Sequence, residues 1–402
     1  MKVVIVGGGI AAVGTAGALR AGGFDGEITL VDAGEFPYDR PPLSKNYLSG
    51  AKGFEQIALQ SPRWYDEQDV RLLNLTTVTA VRARDTAVEL GDGTLLPADR
   101  VVLATGGTAA RPPIPGGDDE RVHVLRTAGD ADRLRRALRP GARVLVVGAG
   151  LIGAEVTSTA VGLGCEAVLA DPVEVPQAAA LGAELAAWLH GRHTVRGVAV
   201  LRAGVESFTA VSGGIEAHFT GGEEPRAFDA VVLGVGMVPR TDLAASAGLL
   251  VEHGILVDAR QVTSNPGVLA VGDCALPRPA GGGVPRAGHW EAARQDAARA
   301  AAALLGAPAP APAAPWFWTD RHGNHVEAVG HMNQADLTVV RGDFGKPPFS
   351  VFGLRAGLVV AAAAVDDSAA VRAARKMLDR RVPAVPDRLS DPSENLRRLA
   401  RG

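Results

Sequence analysis

An α/β architecture with two Rossmann-like dinucleotide-binding modules and a smaller α+β domain at the C-terminal end is predicted by three observations. An apolar strand runs into a glycine-rich turn and a small-residue helix at Lys2-Val-Val-Ile-Val-Gly-Gly-Gly-Ile-Ala-Ala12. The same pattern recurs at Arg143-Val-Leu-Val-Val-Gly-Ala-Gly-Leu-Ile-Gly153. Beyond both, the proline-rich segment 306–315 separates a final stretch with strand and helix signals of its own.

Each glycine has a reason. Gly7 and Gly148 make the tight turn, Gly9 and Gly150 let the backbone approach a pyrophosphate, and the third position, Ala12 or Gly153, packs helix on strand. The helix start then offers free N–H groups to the phosphates. Each turn is followed by a strand ending in an acid, Ile28-Thr-Leu-Val-Asp32 and Ala167-Val-Leu-Ala-Asp171. Such an acid hydrogen-bonds ribose hydroxyls and repels a 2′-phosphate, so Asp171 is expected to favour NADH over NADPH.

The chain has 402 residues, enough for two or three domains, with 47% hydrophobic and 21% charged residues. A net charge of −3 gives no basic field for nucleic acid. The first strand begins at once without a signal-peptide pattern, and no apolar run approaches the ~18 residues of a membrane span, so a cytoplasmic protein off the membrane is expected. Cys165 and Cys274 form no C-x-x-C pair, which removes thiol–disulfide chemistry by a redox-active cysteine pair. The nine histidines and two cysteines show no ligand spacing, so no metal is expected.

Along the chain, Val101-Val-Leu-Ala-Thr-Gly-Gly107 reads as a strand that ends against a ligand, placing Ala104, Thr105 and Gly106 at a binding edge. Phe228-Asp-Ala-Val-Val-Leu-Gly-Val-Gly-Met-Val-Pro239 repeats that pattern with Gly234 and Gly236 and carries the chain back. The first module is therefore discontinuous, 1–108 and 233–312, with the second at 109–232 and the last domain at 313–402. In that domain Val326 to Gly330, Asp336 to Arg341 and Phe349 to Val365 read as strand runs, followed by a basic helix near Ala369 to Arg381.

Phe36-Pro-Tyr-Asp-Arg-Pro-Pro-Leu-Ser-Lys45 resembles the signature of the single-component, FAD-containing ferredoxin reductases that serve bacterial dioxygenases and haem monooxygenases. Thr263-Ser-Asn-Pro-Gly-Val-Leu-Ala-Val-Gly-Asp273 looks like that family's second FAD motif, His289-Trp290 with Ala293 and Gln295 like its flavin-edge helix, and Pro315-Trp-Phe-Trp-Thr-Asp320 like the opening of its C-terminal domain. The resemblance implies a pyridine nucleotide-disulfide oxidoreductase-like architecture, with FAD on the first module and NADH on the second. It implies that Arg40, Gly272, Asp273 and His289 join the FAD contacts and that Ile152 and Glu155 lie at the NADH site. Lys45, Glu155 and Trp290 would serve the chemistry: Lys45 beside the flavin N5, Glu155 near the nicotinamide, Trp290 along the flavin edge. The implied partner is an acidic iron–sulfur ferredoxin, and the implied assembly a monomer or homodimer.

The chain departs from that pattern in places. Valine and alanine, at Val175 and Ala179, align where the family carries two arginines that clamp the NADH adenosine, and Gly288 replaces an acid before His289. A shortening before Pro37 leaves Asp32 and Glu35 as rival ribose ligands. These changes leave open a biosynthetic flavoenzyme of the same fold acting directly on a small molecule. Arg372, Arg375, Lys376, Arg380 and Arg381 are a candidate basic patch for an acidic partner, or a solvated face answering Asp366, Asp367 and Asp379.

Overall fold

A computed structural model describes residues 1–82, 87–278 and 288–401. The chain divides into two compact units, one of Met1–Pro42, Lys52–Thr108 and Met237–Pro312, the other of Leu43–Ala51, Ala109–Gly236 and Ala313–Gly402.

In the first unit the apolar runs stack into a five-stranded parallel sheet in the order Val268–Ala270, Arg100–Leu103, Lys2–Val6, Glu27–Val31, Val70–Leu73. Strands this continuously apolar must be covered on both faces. One face is covered by the helices Ile10–Ala21 and Trp290–Leu304, which share a core with Ile5, Leu19, Leu30 and Val102. Their close approach favours glycine, because a Cβ on Gly14 would come within 3.2 Å of the Ala297 methyl. Val81, Val88 and Leu90, from the strands Val78–Arg82 and Ala87–Leu90, belong to the core on the other face. Part of the strand signal between Val70 and Glu89, at 83–86, lies outside the described residues.

The second unit repeats this plan. Its parallel sheet runs Ala199–Leu201, Glu166–Ala170, Arg143–Val147, Ala230–Leu233, Val122–Val124, and an antiparallel sheet of Val205–Val211, Gly214–Phe219 and Arg226–Phe228 covers one face with Phe208, Ile215 and Phe228. In both sheets the strand before the glycine turn sits between the acid-ended strand and the crossing strand, so the chain order reverses there. The crevice at that reversal is where α/β sheets bind ligands.

The C-terminal domain of the second unit is a five-stranded antiparallel sheet, Trp316–Arg321, Asn324–Gly330, Leu358–Val365, Phe349–Arg355, Leu337–Arg341. The run expected as one strand at Phe349 to Val365 is two, joined by a turn in which Ala356 and Gly357 take φ of +48° and +74°. One sheet face is closed by the helix Ser368–Arg380, which buries Val371, Ala374 and Met377. The other packs Phe317, Phe349 and Val326 on Leu181, Leu185 and Leu189 from the helical region before Val195.

Candidate active site

At the first turn the geometry excludes side chains. Gly7 takes φ +120°, and a Cβ there would lie 2.3 Å from the Ala104 carbonyl oxygen, so the turn is seated on the end of the crossing strand at Ala104 and Thr105. A Cβ on Gly8 would meet Asp32 Oδ2 at 2.1 Å, and one on Gly9 would meet Arg40 Nη1 at 2.7 Å. The helix N-terminus at Ile10, the backbone of Gly9 and the Arg40 guanidinium thus converge where a pyrophosphate fits. Between the rival acids, Asp32 lies against the turn, while Glu35 is exposed and its carbonyl accepts a bond from Asn74 Nδ2.

The second FAD-type motif is held just as locally. Gly272 takes φ +71° against Ala11, and its N–H donates to Asp296 Oδ2 at 3.2 Å. Asp296 also accepts from Gln261 and Arg299, and burial pushes its carboxyl up to about 6. Thr105 Oγ1 donates to the Arg240 carbonyl, and Gly106 takes φ +64°, so the crossing strand leaves its edge open. His289 caps the helix start, and the Trp290 indole N–H donates to Asp39 Oδ1 at 2.8 Å, tying the helix to the Tyr38-Asp-Arg segment. These residues fit the FAD that the sequence implies. Replacing Asp273 by alanine is expected to remove a charge-assisted contact of ~1.5–3 kcal/mol and to weaken FAD binding by roughly tenfold or more. Flavin fluorescence on dilution measures this, and unchanged FAD release would remove Asp273 from the site.

The second turn follows the same rules. Gly148 takes φ +96°, with a Cβ position 2.7 Å from the Gly234 carbonyl oxygen, and a Cβ on Gly153 would lie 1.8 Å from the Gly148 carbonyl oxygen. Gly150 begins the helix Leu151–Gly162, and Gly236 takes φ +114°. Asp171 is fixed by two backbone N–H groups, Ala149 at 2.6 Å and Val173 at 2.8 Å. Its carboxylate is thereby held at the turn. Ile152, 42% exposed, leaves an apolar side chain uncovered in the first turn of the helix.

The two positions without arginine differ from each other. Val175 packs on the cluster of Leu181, Leu185 and Phe317, whereas Ala179 is exposed. Ala179→Arg is therefore expected to lower the Michaelis constant for NADH several-fold, while Val175→Arg forces a charge onto an apolar surface and lowers the melting temperature instead. Steady-state kinetics and thermal denaturation of the two variants check this. An unchanged constant in Ala179→Arg would separate the loop from the nucleotide.

Sequence reasoning singled out Lys45 and Glu155, and the structure brings them together in the second unit. Lys45 Nζ donates to Glu155 Oε1 at 3.2 Å and to Asp320 Oδ2 at 3.3 Å, and lies 5.6 Å from the Trp318 ring centre. Glu155, 4% exposed, also accepts from Ser44 Oγ, from Thr319 Oγ1 at 2.8 Å and from the Asp320 backbone N–H at 3.4 Å. Two distant segments thus meet on one carboxylate. Ser44, Thr319 and Asp320 had stood in the sequence only as parts of motifs, and their contacts are tertiary.

Two pyrophosphate turns, each with a ribose-type acid, and two buried free cysteines that form no disulfide define a class: a dinucleotide-dependent oxidoreductase that does not use paired thiols. Residues 1–297 match the pyridine nucleotide-disulphide oxidoreductase family and residues 316–400 match the family described as Reductase C-terminal. The chain belongs to the pyridine nucleotide-disulphide oxidoreductase family. It is 38% identical over 398 residues to the anthranilate 1,2-dioxygenase system ferredoxin–NAD(+) reductase component of Burkholderia cepacia, covering 98% of each chain. It is 34% identical over 407 residues to the putidaredoxin reductase of Pseudomonas putida, covering 99% of this chain and 96% of the relative. Its structure resembles the reductase in a covalent putidaredoxin reductase–putidaredoxin complex, with a TM-score of 0.90 and 34% identity over 99% of this chain and 97% of that one. Among the described residues no helix is long and apolar enough to cross a membrane, and no group of His, Cys, Asp and Glu could hold a metal ion.

Proposed function

We propose that this protein takes a hydride from NADH onto FAD and delivers single electrons to an iron–sulfur ferredoxin that serves an oxygenase. The observation that carries this reading is the C-terminal domain: its strand Trp316–Arg321 supplies Thr319 and Asp320 to the pair formed by Lys45 and Glu155 of the helix Leu151–Gly162. The relatives named as ferredoxin–NAD(+) reductases support it. When bound, FAD converts the two-electron chemistry of NADH into one-electron steps. The chain's own residues then have separate tasks. The glycine turns seat the pyrophosphates, Arg40 and Asp273 hold FAD, Asp171 takes the NADH ribose, and Glu155 fixes Lys45 and orients the nicotinamide.

The test is anaerobic mixing of the yellow protein with NADH, followed by addition of ferredoxin and a haem acceptor. Flavin bleaching by NADH, with haem reduction that depends on ferredoxin, supports the reading. Bleaching followed by ferredoxin-independent reduction of a small molecule would favour the direct flavoenzyme instead.

The ferredoxin face is proposed on the helix Ser368–Arg380, where Arg372, Lys376 and Arg380 are exposed and Arg375 is partly covered. With Ala370, Val371, Ala373, Ala374 and Met377 turned inward, the basic side chains share the outer face. Such a patch steers an acidic partner and weakens with salt over a Debye length of ~10 Å at 0.1 M. Reversing Arg372 and Lys376 to glutamate is expected to slow ferredoxin reduction several-fold at low salt and to leave NADH-to-dye turnover unchanged. Equal turnover with ferredoxin at every ionic strength would return this helix to solvent.

A further inference from the structure

The loop after Asp171 lacks cationic side chains at Val175 and Ala179, yet a guanidinium stands beside that loop from elsewhere in the chain. Arg321, the last residue of the strand Trp316–Arg321, is 4% exposed. Its Nη2 donates to Gln177 Oε1 at 2.8 Å, and Gln177 Nε2 reaches the Ala149 carbonyl at 3.4 Å. Ala149 lies between the two glycines of the second turn, and its N–H is held by Asp171. Gln177 adopts φ +68°, a left-handed conformation that turns the loop toward the strand.

Two features point to an anion. Arg321 Nε has no hydrogen-bond partner, and among the described residues the guanidinium forms no ion pair. Burial works against the Arg321 charge and Glu155 favours it, but Glu155 gives it no hydrogen bond, its oxygens being taken by Ser44, Thr319, Asp320 and Lys45. A buried cation whose protein bonding is one carboxamide is costly unless a ligand completes it. Guanidinium is also the side chain best matched to phosphate oxygens.

We propose that Arg321 is the cationic contact for the pyridine-nucleotide diphosphate in this chain, brought from the C-terminal domain in place of arginines in the loop. This rests on the reading that NADH occupies the second turn. Gln177 holds the guanidinium toward Ala149 in the absence of ligand, and the diphosphate completes its hydrogen bonding when the nucleotide enters. The C-terminal domain thereby sets nucleotide affinity as well as supplying Thr319 and Asp320.

The test is calorimetric titration of the oxidised, FAD-loaded protein with ADP-ribose, which carries the diphosphate but cannot transfer hydride. R321Q is expected to weaken ADP-ribose binding about tenfold or more, since a charge-assisted contact is lost. R321K should retain part of the affinity, and Q177A should lose much less than R321Q because the cation remains. If Arg321 only braces the loop, Q177A will lose as much as R321Q, and the proposal falls. It also falls if R321Q binds as the wild type does. Should R321Q fail to fold, the ionic-strength dependence of ADP-ribose binding by the wild type and R321K decides: affinity that falls as salt rises in both supports the cationic contact, and affinity insensitive to salt in both overturns it. Wild-type protein that ignores ADP-ribose would instead defeat the NADH reading itself.

Discussion

Replacing Glu155 by alanine is expected to cost about 3–5 kcal/mol of folding stability, the range for removing one partner of a buried ion pair. The carboxylate accepts from Ser44 Oγ, Thr319 Oγ1, the Asp320 N–H and Lys45 Nζ, and lies 4% exposed. Its loss leaves these donors facing a cavity. Asp320, half exposed, is then the remaining partner of Lys45. Glu155→Gln keeps the shape but presents an amide N–H₂ to donors, so it should be less damaging to the fold and still release Lys45. Because misplacing reacting groups by about 1 Å can cost ~100-fold, flavin reduction by NADH in Glu155→Gln is expected to slow by roughly ten- to a hundredfold. Urea denaturation of the alanine variant and stopped-flow reduction of the glutamine variant measure the two effects. A glutamine variant reduced at the wild-type rate would confine Glu155 to structure.

The dinucleotide turns were legible because their requirements are written as glycine at fixed spacing. A Cβ on Gly153 would strike the Gly148 carbonyl oxygen within the same turn, while Cβ atoms on Gly7 and Gly148 would strike the carbonyl oxygens of Ala104 and Gly234 on the crossing strands. Asp32 and Asp171 were legible for the same reason, each ending the next strand. Gly8 was passed over because its need arises from a side chain, the Asp32 carboxyl, and not from a backbone oxygen. The Lys45–Glu155 pair was half legible: each residue stood in a motif, but no spacing could announce that Ser44 and Thr319 would converge on the same carboxylate. The loop at Val175 and Ala179 was read by alignment alone, and packing distinguishes the two positions. The hairpin inside Phe349 to Val365 was passed over because the strands on either side are both buried and apolar, although the exposed Arg355-Ala-Gly357, with Ala356 and Gly357 at positive φ, marks its turn.

Acid is expected to destabilise this protein through a buried histidine pair. His193 Nδ1 and His322 Nε2 are 2.8 Å apart, with their rings edge to face at 4.7 Å. His193 is fully buried and His322 nearly so. Burial, reinforced by His322, Arg321 and His190, pushes His193 down to about 3, and burial with Arg196, Arg321 and Arg192 pushes His322 down to about 4. An unfolded histidine titrates near ~6.5. Below that pH the unfolded chain binds protons that the folded pair refuses, so stability falls as pH drops, by up to ~1.4 kcal/mol per pH unit for each ring. The loss begins near pH 6.5 and continues toward pH 4, and the contribution is fully present above pH 7. Two groups act in the opposite sense: Asp296, raised to about 6, and His325, whose bonds to Asp320 and Glu327 outweigh its burial and raise it, both bind protons more readily in the folded state. The pair is therefore isolated by difference. Urea midpoints measured from pH 7.5 to 4.5 should fall more steeply for the wild type than for a His193→Asn, His322→Gln double variant, which starts less stable but lacks both refused protons. Equal slopes in the two proteins would show that the rings accept protons in place and that acid acts elsewhere.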